Sequence, residues 1–102
     1  MPRRCSTIWA FEMLVPVQSG RFKRDVRRME KRGKDMTKLR AILLLLIEQR
    51  PIPVELGDHA LKGNWKTYRD LHVEPDWLLI YRIDGAELGL ARTGTHADLF
   101  NE

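Results

Sequence analysis

The chain has 102 residues and a mass of 12.0 kDa, which gives room for one domain with one core and excludes a second module. Hydrophobic residues make up 43% and charged residues 31% of the chain, a globular composition that argues against disorder. A single cysteine, Cys5, excludes an intrachain disulfide and a cysteine-based zinc ribbon, so a cytoplasmic setting fits best.

Charge is divided unequally between the two halves of the chain. Residues 1–50 carry 13 Lys and Arg against 5 Asp and Glu, whereas residues 51–102 carry 5 against 9. Such a division suits phosphate binding by one half and proton chemistry by the other, although a solvated cationic helix is the plainer explanation. The longest apolar run, residues 41–47, has only 7 residues against about 20 for a membrane span.

The first half predicts a short strand followed by a helix. Residues 1–12 show no sustained period and are interpreted as an N-terminal extension, whereas residues 13–18 predict a strand that Pro16 places at an edge or an end. Ser19 is predicted to cap an amphipathic helix over residues 20–32. The face of this helix opposite the apolar stripe forms a basic ridge, which we define as Lys23, Arg24, Arg27, Arg28 and Lys31.

A second helix is predicted over residues 36–49, with Asp35 as its cap. Its main apolar stripe comprises Met36, Leu39, Ile42, Leu43 and Leu46. Because Leu44 and Leu45 project away from that stripe, we expect a second covered flank. Either the first helix with residues 1–12 covers this flank, or a partner protein or a second copy of the chain does.

The second half changes from a helical period to a period of two. Antiparallel strands are predicted over residues 65–73, 77–83 and 86–93, with a two-residue hairpin signal at residues 84–85. A last helical turn is predicted over residues 97–100. The expected fold class is therefore α+β, with an N-terminal strand and two helices packed on an antiparallel sheet and a short C-terminal helical turn.

All three histidines lie in this second half, and their chemistry suits RNA cleavage. Metal-free cleavage needs a base for the ribose 2′-OH, an acid for the departing 5′ oxygen and positive charge on the phosphate; imidazole suits both proton roles near neutral pH. We expect His59 in a loop, His72 on a strand and His96 after another strand to converge at one end of the sheet. Asp70, on the same face as His72, and Asp76 can orient an imidazole there.

Alternative explanations of these residues stay open. Trp77 and Phe100 can stack a splayed base, but a tryptophan that flanks a strand is ordinarily a core residue. A histidine in a small domain is usually structural, and Cys5, with no histidine nearby in sequence, is interpreted as incidental. A metal site is a further alternative, with candidate ligands His59, His72, Asp76 and His96.

Several segments resemble one protein family. Residues 19–39 (SGRFKRDVRRMEKRGKDMTKL), 58–63 (DHALKG), 65–83 (WKTYRDLHVEPDWLLIYRI) and 92–100 (RTGTHADLF) resemble the YafQ branch of the RelE/ParE superfamily, the toxin halves of bacterial type II toxin–antitoxin pairs. The most specific element is His-x-Glu-Pro-Asp-Trp followed some twenty residues later by Thr-Gly-Thr-His. The resemblance assigns residues 13–102 to a toxin domain and implies a small α+β fold.

The resemblance also implies an activity and a site. Family members are ribosome-dependent endonucleases that cut messenger RNA in the A site of the 70S ribosome without a cofactor and are held inactive by a cognate antitoxin. Positions that they need for cleavage correspond to His59, His72, Asp76 and His96. Supporting positions correspond to Asp70, Trp77 and Phe100. His96 is the expected general acid, and the base is left open among His59, His72 and Asp76.

The basic ridge gains a role from the same resemblance. It would bind ribosomal RNA through a contact that salt weakens, and an acidic antitoxin segment would compete for it. Two other functions stay open: a ParE-like toxin that inhibits a topoisomerase by binding alone, and an RNA-binding module with structural histidines. A binding-only inhibitor has no need of three titratable histidines, which favours the nuclease.

Overall fold

The computed structural model describes residues 13–100, and the predicted α+β class is confirmed. In chain order the helices and strands are β1 (Val15–Gln18), α1 (Gly20–Lys31), α2 (Met36–Ile47), β2 (His59–Ala60), β3 (Arg69–Glu74), β4 (Trp77–Asp84), β5 (Glu87–Gly94) and α3 (His96–Phe100). The strands form one sheet in the order β1-β5-β4-β3-β2. The predicted extension, residues 1–12, lies outside the described residues.

Both predicted helices begin at the caps that the sequence indicates. The Ser19 side chain accepts a hydrogen bond of 2.9 Å from the backbone N–H of Phe22, and the Asp35 carboxylate accepts one of 3.0 Å from that of Thr37. These bonds satisfy donors that the first turn of a helix leaves unpaired. Gly33 follows α1 with a φ of +83°, a left-handed conformation that ends the helix and that glycine adopts without strain.

The two long helices cover one face of the sheet. Phe22 and Met29 of α1 and Leu39, Ile42 and Leu46 of α2 pack in one core with alternate strand residues, which are Leu71, Val73, Trp77, Leu79, Tyr81, Leu88 and Leu90. Since successive strand side chains point to opposite faces, the residues between these core positions lie on the other side. We call that side the open face; it carries Asp70, His72, Leu78, Ile80 and Arg82.

Strand β1 lies at an edge of the sheet, as Pro16 predicts. It pairs in parallel with β5, so the sheet is mixed where a wholly antiparallel one was expected. A parallel pair needs a long crossover connection, which the segment from α1 to β4 provides. The N–H of Val15 donates to Ala86 at 2.8 Å and that of Ser19 to Leu90 at 3.1 Å, so in this alternation the nitrogen of Pro16 faces the free edge.

Other element boundaries differ from the prediction for local reasons. β3 begins at Arg69 rather than at residue 65, because Gly63–Trp65 forms a 3-10 turn and the N–H of Tyr68 donates to the Trp65 carbonyl at 2.8 Å. His59, expected in a loop, lies in β2. Asp84 pairs with Glu87, so the two-residue hairpin loop is residues 85–86, one position later than predicted.

The second flank of α2 is only partly covered. Leu39, Ile42 and Leu46 are buried, whereas Leu44 is 49% exposed. The prediction of a covering partner for this flank therefore stays a hypothesis, and the residues 1–12 that could cover it lie outside the described part of the chain. None of the helices within residues 13–100 has the length and hydropathy to cross a membrane.

Candidate active site

The strands of the open face bring the predicted histidines together. β2 pairs with β3 so that His59 lies opposite Asp70, and His72 follows two residues later on the same face. The imidazole rings of His72 and His96 have their centroids 5.9 Å apart. The convergence that the sequence predicts is therefore present in the fold.

Each imidazole holds its Nδ1 against an oxygen atom. The Nδ1 of His59 lies 2.8 Å from the carbonyl of Gly57, that of His72 lies 3.3 Å from the carbonyl of Leu56, and that of His96 lies 2.6 Å from Oδ1 of Asp76. A carbonyl or a carboxylate can only accept, so Nδ1 carries the hydrogen in each ring. The Nε2 atoms have no hydrogen-bond partner among residues 13–100, which leaves three nitrogens of one kind for substrate.

Asp70 is a buried carboxylate beneath these rings. It is 5% exposed, and its Oδ1 has no hydrogen-bond partner among the described residues. The Nδ1 of His59 lies 3.4 Å from that oxygen, within ion-pair distance, but its hydrogen is directed to Gly57. Burial raises the pKa of Asp70 above its ordinary value, and the nearby His59, His72 and His96 only partly offset this effect.

Asp76 orients His96 from the turn between β3 and β4. Its Oδ1 accepts hydrogen bonds from both the backbone N–H of His96, at 3.0 Å, and the imidazole. These two bonds, the backbone one first, lower the pKa of Asp76. A carboxylate engaged in this way is a poor proton acceptor for a 2′-OH, so the geometry favours Asp76 as a positioning residue over Asp76 as the base.

Helix α3, which carries His96 and Phe100, is fixed to α1 by an ion pair. Arg32 donates two hydrogen bonds to the Asp98 carboxylate, at 2.7 and 3.1 Å, and holds the pKa of Asp98 well below its usual range. Asp98 and Thr95 also form a capping box, since the N–H of each donates to the side chain of the other at 3.0 and 3.1 Å. The position of His96 therefore depends on a contact between the two halves of the chain.

The segment that supplies the Leu56 and Gly57 carbonyls is anchored through Asp58. Asp58 accepts a hydrogen bond of 2.7 Å from the Tyr81 hydroxyl and two bonds from Arg69, at 3.2 and 3.3 Å. Burial, and then the bond to Asp58, raises the pKa of Tyr81, so its hydroxyl stays protonated and donates. This anchor was not predicted from the sequence, because its partners Tyr81 and Arg69 lie 23 and 11 positions away in the chain.

The structure corrects the expectation that Trp77 stacks a base. Trp77 is fully buried and belongs to the core on the helix-covered face, so no surface of its indole is available to a nucleotide. Its N–H donates to the Thr93 hydroxyl at 2.9 Å, and that hydroxyl donates to the Leu78 carbonyl at 2.7 Å. Phe100 is partly exposed in α3, and its stacking role stays a prediction.

A second carboxylate, Asp25, was missed at the sequence level. It is 4% exposed and accepts hydrogen bonds from Arg92 at 2.7 and 3.1 Å, from Arg28 at 2.9 Å and from the backbone N–H of Thr93 at 3.2 Å. Its position three residues after Phe22, on the apolar stripe of α1, was the available signal. Arg28 is thereby committed to Asp25, while the other four members of the basic ridge, Lys23, Arg24, Arg27 and Lys31, are exposed.

The described residues contain no preformed cluster of ligands for the alternative metal site. Within residues 13–100, no group of three or more His, Cys, Asp and Glu side chains is arranged to hold a metal ion. Asp76 and His96 are already hydrogen-bonded to each other. The arrangement instead presents three imidazole Nε2 atoms to a ligand on the open face.

Comparison with known proteins gives consistent similarities. Residues 14–101 match the family model described as "Bacterial toxin of type II toxin-antitoxin system, YafQ". Over 83 residues the chain is 52% identical to the mRNA interferase toxin YafQ of Escherichia coli strain K12. The aligned region covers 80% of this chain and 90% of that relative.

Two solved structures show the same fold. The crystal structure of the E. coli DinJ-YafQ toxin-antitoxin complex matches with a TM-score of 0.80 at 48% identity, over 86% of this chain and 98% of that chain. A metal-bound toxin from Helicobacter pylori matches with a TM-score of 0.81 at 36% identity, over 86% of this chain and 100% of that chain. The histidine cluster and its scaffold therefore lie within the region that these proteins share with this chain.

Proposed function

The chain belongs to the YafQ family of bacterial type II toxin–antitoxin toxins, and from this premise we propose that it is an mRNA interferase, an endoribonuclease that cuts messenger RNA in the ribosomal A site. The observation that carries the proposal is the pair of His72 and His96 rings, 5.9 Å apart on the open face. Two imidazoles at this separation can flank one phosphodiester and serve as its base and its acid.

The cleavage step uses the Nε2 atoms of these two rings. The Nε2 of His72 accepts the proton of the ribose 2′-OH, and the 2′ oxygen attacks the adjacent phosphorus. As the bond to the 5′ oxygen breaks, the protonated Nε2 of His96 gives its proton to that oxygen. The products are a 2′,3′-cyclic phosphate, which water can open to a 3′-phosphate, and a free 5′-OH; no metal or other cofactor takes part.

The remaining site residues support this pair. His59 is the alternative base, since its Nε2 is presented by the same segment that holds His72. Asp70 and Asp76 supply negative charge and orientation to the imidazoles, and Phe100 offers a ring for a splayed base. Trp77 contributes through the core, because its indole N–H holds the side chain of Thr93 in β5.

We further propose two macromolecular contacts, both in the cytoplasm. The exposed cations of the basic ridge bind ribosomal RNA, which places the open face over the messenger RNA of the 70S ribosome. A cognate antitoxin, encoded beside the toxin, binds the chain and suppresses cleavage; the E. coli relative is seen with such a partner, DinJ.

Inducible expression of the intact chain, with mapping of RNA 5′ ends on translating ribosomes, tests the function. We expect growth arrest and new 5′ ends within codons that occupy the A site. DNA damage without A-site cuts would instead support a topoisomerase-inhibiting toxin. RNA affinity without growth arrest would support a binding module with structural histidines.

A further inference from the structure

A cavity lies on the open face, displaced from His72 along β4 toward Arg82. It has a volume of about 580 Å³, and the side chains that carry its chemistry are Arg21, Arg24, Trp65, Tyr68 and Arg82. Arg82 lies on the open face because it follows Ile80 by two residues in β4. The cavity and the histidine cluster therefore lie on the same face of the sheet.

An aromatic pair and a guanidinium form one wall of this cavity. The rings of Trp65 and Tyr68 meet edge to face with centroids 5.1 Å apart, and the guanidinium of Arg82 lies over the Tyr68 ring at 5.4 Å. The nearest carboxylate to Arg82, Asp84, lies 3.7 Å away and is largely exposed, so this ion pair is weak. Because the guanidinium already covers one face of the Tyr68 ring, a planar base can stack on the outer side of this pair, as nucleobases stack on aromatic rings and guanidinium planes in single-stranded RNA complexes.

Positive charge from α1 also lines the cavity. Arg21 and Arg24 of α1 line the cavity and are exposed, and no acidic side chain among residues 13–100 forms an ion pair with either of them. Two free guanidinium groups beside an aromatic ring supply the contacts that a nucleotide needs, since they bind its phosphate while the ring holds its base. Asp84 and Glu87 line the cavity as well, and their charge repels phosphate from that end.

The spacing between the two sites suits a continuous strand. His72 pairs with Leu78 in β4, and Arg82 is four residues further along, which corresponds to about 13 Å at the rise of a strand. A short stretch of extended RNA spans this distance.

On the premise of the proposed nuclease, we propose that this cavity is a subsite for a nucleotide of the messenger RNA that flanks the cut. Tyr68 and Arg82 hold its base and Arg21 and Arg24 hold its phosphate. The subsite would fix the register of the strand, so that the scissile phosphate lies between His72 and His96.

The subsite is tested by removing the Tyr68 ring from the protein and, separately, one base from the messenger RNA. Ribosomes are programmed with a set of messenger RNAs in which one nucleotide, within roughly four of the cut, lacks its base. Tyr68→Ala is expected to lower kcat/KM about tenfold on the intact messenger. At one abasic position wild type and Tyr68→Ala should cut equally, because the same contact is already lost. Tyr68→Phe keeps the ring and should restore the rate, and a thermal unfolding measurement confirms that each variant is folded.

Salt dependence tests the phosphate contacts separately. Arg21→Ala should reduce the slope of log affinity against log salt by about 0.7; Arg21 lies outside the basic ridge, so this change is separate from the proposed contact with ribosomal RNA. Arg40→Ala, on the exposed side of α2, should leave the slope unchanged. The proposal is overturned if Tyr68→Ala cuts as fast as wild type, or if its defect persists at every abasic position.

A cross-linking measurement distinguishes failure of the subsite proposal from failure of the nuclease proposal. A messenger with a 2′-deoxy nucleotide at the cut cannot be cleaved, and a photoreactive thio-base at the flanking position should cross-link to the Trp65–Tyr68 segment. Cutting is measured in parallel on the matching messenger that keeps its 2′-OH at the cut. If wild type fails to cut this messenger while the cross-link forms on the deoxy messenger, the nuclease is rejected and the RNA site is retained. If wild type cuts it and no cross-link forms, the subsite is rejected and the nuclease is retained.

Discussion

Asp25 and Asp70 are buried to nearly the same extent, 4% and 5% exposed, yet their surroundings differ. Asp25 accepts four hydrogen bonds from two arginines and a backbone N–H. Asp70 faces three histidines and leaves one oxygen without a hydrogen bond among the described residues. When a buried charge is fully paired, removing one partner is strongly destabilising, whereas a buried charge left incompletely paired costs stability and is retained where it serves a site.

The largest effect on cleavage is expected from a change in one of the three histidines that Asp70 faces. His96→Ala removes the proposed general acid and should lower the rate of messenger RNA cleavage on programmed ribosomes by about a hundredfold to ten-thousandfold. Because His96 is a partly exposed residue of α3, the unfolding free energy and the binding of the antitoxin should be retained. Full toxicity of this variant would exclude His96 as an essential acid.

The largest loss of stability is expected from the Asp25 region. Asp25→Ala leaves Arg92, which is 16% exposed, without its carboxylate, and should reduce the free energy of unfolding by about 3–5 kcal/mol in urea titrations. Arg28→Ala is the matched control, since Arg28 is half-exposed and its removal should cost no more than about 1 kcal/mol. Equal losses in the two variants would contradict the central role given to Asp25.

Asp70→Asn should lower the cleavage rate without lowering the stability of the fold. Cleavage should fall by up to about a hundredfold, the effect of misplacing a catalytic group by about 1 Å, while stability at neutral pH is kept or increased. The pKa of Asp70 is raised in the folded state, so the folded chain binds its proton more tightly than the unfolded chain. The stability linked to this group is greatest below the ordinary Asp pKa of about 3.9 and is lost as the pH rises through the raised value.

Unfolding measurements between about pH 4 and neutral pH check this sign. As the pH rises over this range, the unfolding free energy of the wild-type chain should include a decrease that is absent in Asp70→Asn. A larger loss in the variant than in the wild type would show that the histidines stabilise the Asp70 carboxylate more than burial penalises it.

The smallest effect concerns the segment that presents the carbonyls to the histidines. Gly57 has a φ of +64°, and a Cβ atom there would lie 3.2 Å from the Nδ1 of His72. Gly57→Ala should cost about 1–2 kcal/mol from backbone strain and should also reduce cleavage by displacing His72. Gly63→Ala is the control, because Gly63 has a similar φ of +67° with nothing within 4 Å of the added atom; it should lose stability but retain activity.

Structural features that depend on local chemistry could be predicted from the sequence. The caps Ser19 and Asp35, the edge position of Pro16 and the short C-terminal helical turn all follow from residue preferences over a few positions. The shared face of Asp70 and His72 follows from strand alternation.

What the sequence did not predict depends on pairing between distant segments. Burial of Trp77 and the contact of Asp25 with Arg92 are set by how α1 packs near β5, and the bond of Asp58 to Tyr81 joins positions 23 apart in the chain. β2 has only two residues, too few for a period to be detected. Such contacts become visible only when the strands are in register.

The two outer strands determine how the sheet can meet other proteins. At one border, the nitrogen of Pro16 points outward in β1 and has no hydrogen to offer; at the other, β2 is only two residues long. An unpaired polypeptide would find an interrupted row of donors on the first side and little backbone on the second, so extension of the sheet into a fibril or a strand-swapped dimer is disfavoured. A protein that recognises either border must do so mainly through side chains, which can be chosen to suit one partner and refuse others.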